Sequence, residues 1–224
     1  MNIQKIPASE ARAINKAHFD RVAPQYGTYG DWLSFESRIV APYVSRLAVG
    51  AMLDLGAGTG NTIAAVTQHA EVERVVAVDC SDRMLAELQQ QPLSAQVTLE
   101  MVHSDIADFL GTPKDDRFDL ITSFGAFEFV PDLPEVLGHL SDHLEPGGHA
   151  FFTYEPLMGN ISRCSEPVTV CEQAGFVAHR YDPQEISSVI HRQGLTVETE
   201  YEAAAYSRDG LNVPYVFVWA TKPE

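Results

Sequence analysis

The sequence predicts an α/β fold: a doubly wound sheet of seven strands, mostly parallel, with helices on both faces. Three observations predict it. Between residues 51 and 154, short apolar runs alternate with stretches of helical periodicity, and strands joined by helices run parallel. The first strand-to-helix junction, Met52-Leu53-Asp54-Leu55-Gly56-Ala57-Gly58-Thr59-Gly60-Asn61, places three glycines in five residues. Without a Cβ the backbone there folds back sharply and comes close to a ligand. The second strand, Arg74-Val75-Val76-Ala77-Val78-Asp79, ends on an acid about 20 residues past those glycines, the spacing at which a carboxylate meets a pair of ribose hydroxyls.

The elements follow in order. Residues 8–25 read as a helix, with Ser9 as its cap, an apolar face of Ile14, Ala17, Phe19 and Val22, and an end at Pro24 and the Tyr26-Gly27-Thr28-Tyr29-Gly30 run. A second helix starts with Asp31 as cap and runs through Trp32, Phe35, Ile39, Val40 and Leu47, bent near Pro42. Strands at 51–55, 74–79, 96–103, 118–123 and 148–154 alternate with helices at 60–70, 82–90, 105–110 and 132–144. Right-handed crossovers put the C-terminal ends of these strands on one edge, where such sheets bind ligands. Gly56, Asp79, Asp105, Ser123 and Phe124 all fall at strand ends. Residues 156–182 read as neither helix nor strand, and a connection of that length is commonly functional. A helix at 183–193 precedes strands at 195–201 and 213–220, which close the chain as a hairpin through Ser207-Arg208-Asp209-Gly210.

The segment boundaries give one domain over 1–224: a helical lid at 1–48, a core at 49–155, an insert at 156–182, and a helix with hairpin at 183–224. At 45% hydrophobic and 21% charged, the composition is that of a globular chain. With 15 basic and 31 acidic residues the formal net charge is −16, which repels nucleic acid and anionic membranes. No apolar run approaches the roughly 20 residues of a membrane helix, and residues 1–7 lack the apolar core of a signal peptide. The odd, scattered cysteines Cys80, Cys164 and Cys171 suit reduced thiols. A cytoplasmic protein, monomer or homodimer, is expected.

The glycine turn and Asp79 alone fit either a nicotinamide-dependent oxidoreductase or a methyltransferase using S-adenosylmethionine. Asp54 just before the glycines, and a Gly-x-Gly-x-Gly turn without a third glycine at the dinucleotide spacing, favour the second. With His103-Ser104-Asp105-Ile106 and Leu144-Glu145-Pro146-Gly147-Gly148-His149 added, the sequence resembles the class I S-adenosylmethionine-dependent methyltransferases of small-molecule type, strongly over about residues 45 to 155. The closing hairpin resembles the antiparallel last strand of that Rossmann-like fold. Phe19-Asp20-Arg21-Val22-Ala23-Pro24-Gln25-Tyr26 is similar to the family's N-terminal Phe-Asp-x-x-Ala-x-x-Tyr pattern, whose tyrosine region closes over the methionine end of the cofactor.

The resemblance implies a set of cofactor contacts. Gly56, Ala57, Gly58 and Asn61 would approach the amino-acid tail and ribose, with Asp54 just before the turn and Tyr26 above it. Asp79 would accept both ribose hydroxyls. Cys80 and Met84 would pack beside the adenine. Asp105, with the Ser104 and Ile106 backbones, would read its amino group, and Ser123 and Phe124 would floor the sulfonium. Methyl transfer is an in-line displacement that mainly needs alignment and exclusion of water. Where the nucleophile carries a proton, Glu128, Tyr154, Glu155, His18 and Tyr26 are the candidate catalytic groups. Glu128 stands where several relatives have histidine. His139 and His143, four apart on a predicted helix, lack a third ligand and read as a solvated face, so no metal is expected. The expected partner is a small-molecule acceptor. A protein that binds S-adenosylmethionine without turnover would need the same residues.

Overall fold

The computed structural model describes residues 6–27, 32–94, 96–113, 115–157, 168–171, 175–208 and 211–224. Its frame is a seven-stranded sheet. In chain order the strands are β1 (Val49–Leu55), β2 (Val72–Asp79), β3 (Thr98–His103), β4 (Phe118–Ser123), β5 (Leu144–Tyr154), β8 (Thr196–Arg208) and β9 (Leu211–Thr221). A separate two-stranded ribbon is formed by β6 (Val168–Cys171) and β7 (Phe176–His179). The sheet order is β3-β2-β1-β4-β5-β9-β8. β1 to β5 pair in parallel, while β9 runs antiparallel to both its neighbours, β5 and β8. The mostly parallel sheet with an antiparallel last strand is therefore present as expected.

Both sheet faces are covered, as the near-continuous apolar strands require. On one face α2 (Trp32–Val44), α3 (Asn61–Thr67) and α4 (Asp82–Leu88) bury Val40, Val44, Ile63, Val66, Leu85 and Leu88 against Met52, Val75, Ala77, Phe151 and Trp219. On the other, α5 (Ile106–Gly111), α6 (Leu133–Leu137) and α7 (Pro183–Arg192) pack Phe109, Leu137, Ile186 and Ile190 against Leu53, Leu55, Val78 and Val218. Four helix starts are fixed by side-chain caps: Ser81 accepts from Met84 N, Asp105 from Ala107 N, Asp132 from Glu135 N and Asp182 from Gln184 N. α1 (Ala8–Tyr26) lies over the C-terminal edge of the sheet, where Val22, Ala23, Phe19 and Tyr26 pack with Met84.

Several expectations are corrected. α1 follows Pro7 with no side-chain cap, so Ser9 does not start it, and it continues through Pro24 to Tyr26. Proline at 24 removes the N–H that would bond the Asp20 carbonyl; the Arg83 guanidinium approaches that oxygen at 3.5 Å instead. Ala17 is exposed, whereas Asn15 is buried. The expected cap Asp31 lies outside the described residues, as do Cys164 and the Asp209-Gly210 link; α2 contains Pro42 and ends at Val44. The helix expected over 132–144 stops at Leu137, and a 3-10 turn, Leu140–His143, follows. β5 then begins at Leu144, so the Glu145-Pro146-Gly147-Gly148 turn is an irregular stretch inside the strand, where the register with β4 shifts. The insert 156–182 contributes β6 and β7, a hairpin the sequence did not announce. Among the described residues no helix is long and apolar enough to cross a membrane.

Candidate functional site

The sheet order reverses between β1 and β4, and the two chains leaving those strands diverge to open a cleft at the C-terminal edge. One wall is the glycine turn. Gly56, Gly58 and Gly60 have φ of +71°, +53° and +87°, values that side chains rarely adopt. A Cβ at Gly56 would stand 2.3 Å from the Ala126 Cβ, and one at Gly60 would stand 2.3 Å from Leu88 Cδ1. Glycine is thus favoured by conformation at all three positions and by space at Gly56 as well. The turn is latched to β2: Gly56 N and Ala57 N donate to the Val78 carbonyl at 2.8 and 3.0 Å, and Gly58 N donates to Asp79 Oδ2 at 2.8 Å.

The cleft has two connected lobes. The first, about 850 Å³ including the part open to solvent, lies against the glycine turn and is lined by Gly56, Ala57, Gly58, Asn61, Asp79, Cys80, Met84, Asp105, Ile106 and Phe124. Asp79 is 8% exposed; its second oxygen accepts from Ser81 N at 2.8 Å. Burial pushes its pKa up against those two amide bonds. Asp105 caps α5 through Oδ1 and turns Oδ2 toward Arg12 Nε at 3.5 Å, so the carboxylate does structural work on a cleft wall. Burial pushes the Cys80 thiol up to about 12, which keeps it protonated and weakly nucleophilic.

The second lobe, about 1380 Å³ on the same measure, lies between α1 and the strand ends. Tyr26, Glu36, Asn61, Phe124 and Phe129 line both lobes and mark the passage between them. Beyond it stand His18, Phe176, Glu128, Tyr215 and Phe217. Glu128, on the 3-10 turn Phe127–Phe129, is 1% exposed and accepts a hydrogen bond from the Tyr215 hydroxyl. His18 Nδ1 pairs with Arg21 Nη2 at 2.9 Å, and its ring meets Phe19 and Phe176 edge-on. Burial raises the Tyr26 hydroxyl well above the ordinary tyrosine range.

Five of the expected site residues lie off the cleft. Asp54 is 1% exposed and accepts from Thr122 Oγ1 at 2.6 Å, cross-linking β1 and β4 beneath the turn; burial pushes it up to about 7. Ser123 is also buried, its hydroxyl bonded to the Leu55 carbonyl at 3.0 Å. Ser104 lines only a shallow side recess with Arg12, Lys16 and His103. Tyr154 is fully buried in the core on the α5–α7 face, and Glu155 is ion-paired to Arg180 Nε at 3.2 Å. Strand-end position alone did not show which way each side chain points. The expected solvated face holds for His139, which is exposed, and is corrected for His143, which is 2% exposed and whose Nε2 meets the Leu110 carbonyl at 3.0 Å. Among the described residues no group of three metal-ligating side chains assembles.

Three residues that sequence reasoning missed shape the site. Glu36, on α2, lines both lobes; its Oε2 accepts from Thr62 Oγ1 at 2.6 Å, and burial, with Asp54 nearby, pushes it up to about 8. Thr59, within the glycine turn, is a buried lining residue whose hydroxyl lacks a hydrogen-bond partner. Asn15 donates to the Val177 carbonyl at 2.9 Å and accepts from Val177 N at 2.7 Å, which docks α1 onto the edge of β7 and so roofs the cleft. An acid in the middle of an amphipathic helix, or an asparagine in another, carries no local signal of this kind.

Residues 52–148 match the family model for a methyltransferase domain. A trans-aconitate 2-methyltransferase of Deinococcus radiodurans is 32% identical over 124 residues, 55% of this chain and 45% of that protein. The chain thus spans about half the length of the curated relatives it matches. Among solved structures, the Burkholderia thailandensis 1,6-didemethyltoxoflavin-N1-methyltransferase, with bound 1,6-didemethyltoxoflavin and S-adenosylhomocysteine, superposes with a TM-score of 0.70 at 17% identity, covering 100% of this chain and 94% of that one. The magnesium protoporphyrin IX methyltransferase of Synechocystis, with bound SAM, gives 0.67 at 14% identity over 99% and 100% of the two chains. These structures share the fold. With the strand order, the inserted antiparallel β9 and the glycine turn at the β1–α3 junction, the chain has the fold of the class I S-adenosylmethionine-dependent methyltransferases, and residues 52–148 are similar in sequence to a methyltransferase domain.

Proposed function

We propose that the chain is an enzyme that moves a methyl group from S-adenosylmethionine to a small-molecule acceptor, in the cytoplasm. The observation that carries this reading is the pair of lobes: a turn-lined lobe opens, past Tyr26, Glu36 and Phe124, into a roofed aromatic one. The first lobe fits the cofactor. Its glycine wall admits no Cβ at Gly56, and the buried Asp79 carboxylate would meet the ribose. Gly56, Gly58 and Asn61 would hold the amino-acid tail, and Met84 and Ile106 would flank the adenine, with Asp105 at its edge. When bound, the cofactor supplies an activated methyl group on a sulfonium.

The chain's own part is alignment and dryness. α1 is the lid and the β6–β7 ribbon its rest: Asn15 fastens one to the other. Phe19, Phe124 and Phe129 exclude water from the passage. Holding an acceptor at contact distance from the methyl carbon removes much of the entropic barrier. Glu128 would receive a proton from a protic acceptor, with Tyr26 and His18 shaping the approach. The net charge of −16 and the enclosure favour a small acceptor over a polymer.

The reading is tested by incubating the protein with methyl-labelled S-adenosylmethionine and separated small-molecule, protein and RNA pools. Label in a low-mass organic product is the expected result. Label confined to protein or RNA contradicts the small-acceptor assignment. Cofactor binding with no label in any pool favours a regulatory S-adenosylmethionine-binding protein.

A further inference from the structure

We propose that the second lobe takes a planar nitrogen base, an aromatic amine or N-heterocycle presenting an N–H, and turns away polycarboxylates. The proposal rests on the methyltransferase reading and names the acceptor class for the same site.

The walls are aromatic and mutually braced. Phe19 and Phe129 meet edge-to-face at 4.9 Å, and Phe129 and Phe176 at 5.6 Å. Such rings favour a flat, electron-poor or cationic partner. The acidic groups come from two separate elements and stand among the neutral polar side chains of Gln25, Tyr26, Asn61 and Tyr215. Glu128 is 1% exposed on its 3-10 turn, and Glu36 faces the same space from α2. Among the described lining residues the basic side chains are Arg21, which is exposed, and His18, which pairs with it.

Charge decides between acceptor classes. An anionic acceptor would bring its carboxylates beside the buried Glu128 carboxylate in a poorly hydrated space, where like charges repel far more than in water. A neutral N–H group instead donates a charge-assisted bond to a carboxylate while its ring stacks on the walls. The chemistry balances. The acceptor nitrogen's lone pair forms the new N–C bond, the pair of the broken C–S bond stays on sulfur, and the nitrogen's proton passes to Glu128. Tyr215, donating to Glu128 Oε1, holds that carboxylate in place. The acids named for the trans-aconitate relatives are therefore not the predicted ligands here.

The test is calorimetric titration of the protein loaded with S-adenosylhomocysteine, using 2-aminobenzimidazole and trans-aconitate as probes. The amine is expected to bind and the acid not. Glu128→Gln should weaken the amine about tenfold or more, the loss of a bond to a charged group. Phe176→Leu, which changes only a wall, should weaken it severalfold. Both variants should keep their affinity for S-adenosylhomocysteine, which also reports that they fold. Tighter binding of trans-aconitate, amine affinity unchanged in both variants, or binding of neither probe overturns the acceptor class while the cofactor reading stands. Failure of the unaltered protein to bind S-adenosylhomocysteine overturns the functional reading, and the acceptor class with it.

Discussion

Asp79 carries the most at the scale of single residues. One oxygen receives Gly58 N and the other Ser81 N, so the carboxylate fixes the glycine turn and the start of α4 before any ligand arrives. The residue lines the first lobe, and each carboxylate oxygen keeps a lone pair beyond those two bonds. Asp79→Ala is expected to lower affinity for S-adenosylhomocysteine by about 10- to 100-fold, the usual worth of hydrogen bonds to a charged group; calorimetric titration measures it, and unchanged affinity contradicts the ribose role. Asp54 gives a pH signature. Burial raises it to about 7, above the value of about 4 it has in an unfolded chain. Its folded state therefore favours the proton: that contribution is fully present below about pH 4 and is lost as pH rises through about 7. Asp54→Asn keeps an acceptor for Thr122 and removes the ionisation. Its Tm should match that of the unaltered protein near pH 4 and exceed it near pH 8, by about 2–4 °C for each kcal/mol released. Calorimetric scans across that range show it, and a pH-independent difference contradicts it.

The elements were unevenly legible in the sequence. β1, β2 and β4 are continuous apolar runs bounded by turn residues, and a buried parallel strand reads that way from composition alone. The edge of the site was legible for the same reason, since Gly56 and Asp79 sit where such strands end. The β6–β7 ribbon was not, because its short strands lie among prolines and glycines and depend on docking to α1. The 132–144 segment misled because its apolar periodicity continues through a change from α6 to a 3-10 turn at Gly138. Side-chain direction was the other blind spot. Ser123 and Phe124 are adjacent at one strand end, yet one bonds to β1 and the other lines both lobes. The docking of α1 makes its own prediction. Asn15→Ala removes both bonds to Val177, leaving buried backbone groups unpaired at about 1–3 kcal/mol each. Amide exchange in α1 should speed up by about tenfold or more while β1 and β2 stay protected. Equal protection of α1 in both proteins contradicts its role as the fastening of the lid.

At the scale of the whole molecule, the sheet order sets the cleft's position and the lid sets its size. β1 and β4 part at the point of reversal, and α1 with the β6–β7 ribbon roofs the opening. The antiparallel β9, placed between β5 and β8, supplies Tyr215 and Phe217 to the second lobe of the cleft. The closing hairpin thus lines the cleft as well as the core. A surface carrying a net charge of −16 suits a small, soluble acceptor better than a phosphate-rich polymer. The central claim is that the first lobe holds S-adenosylmethionine. Calorimetric titration of the purified protein with S-adenosylmethionine, S-adenosylhomocysteine and NADH tests it most directly. Saturable binding of both adenosyl ligands, at about micromolar Kd, with no heat from NADH, is the predicted result. Binding of NADH alone, or of none of the three, contradicts it.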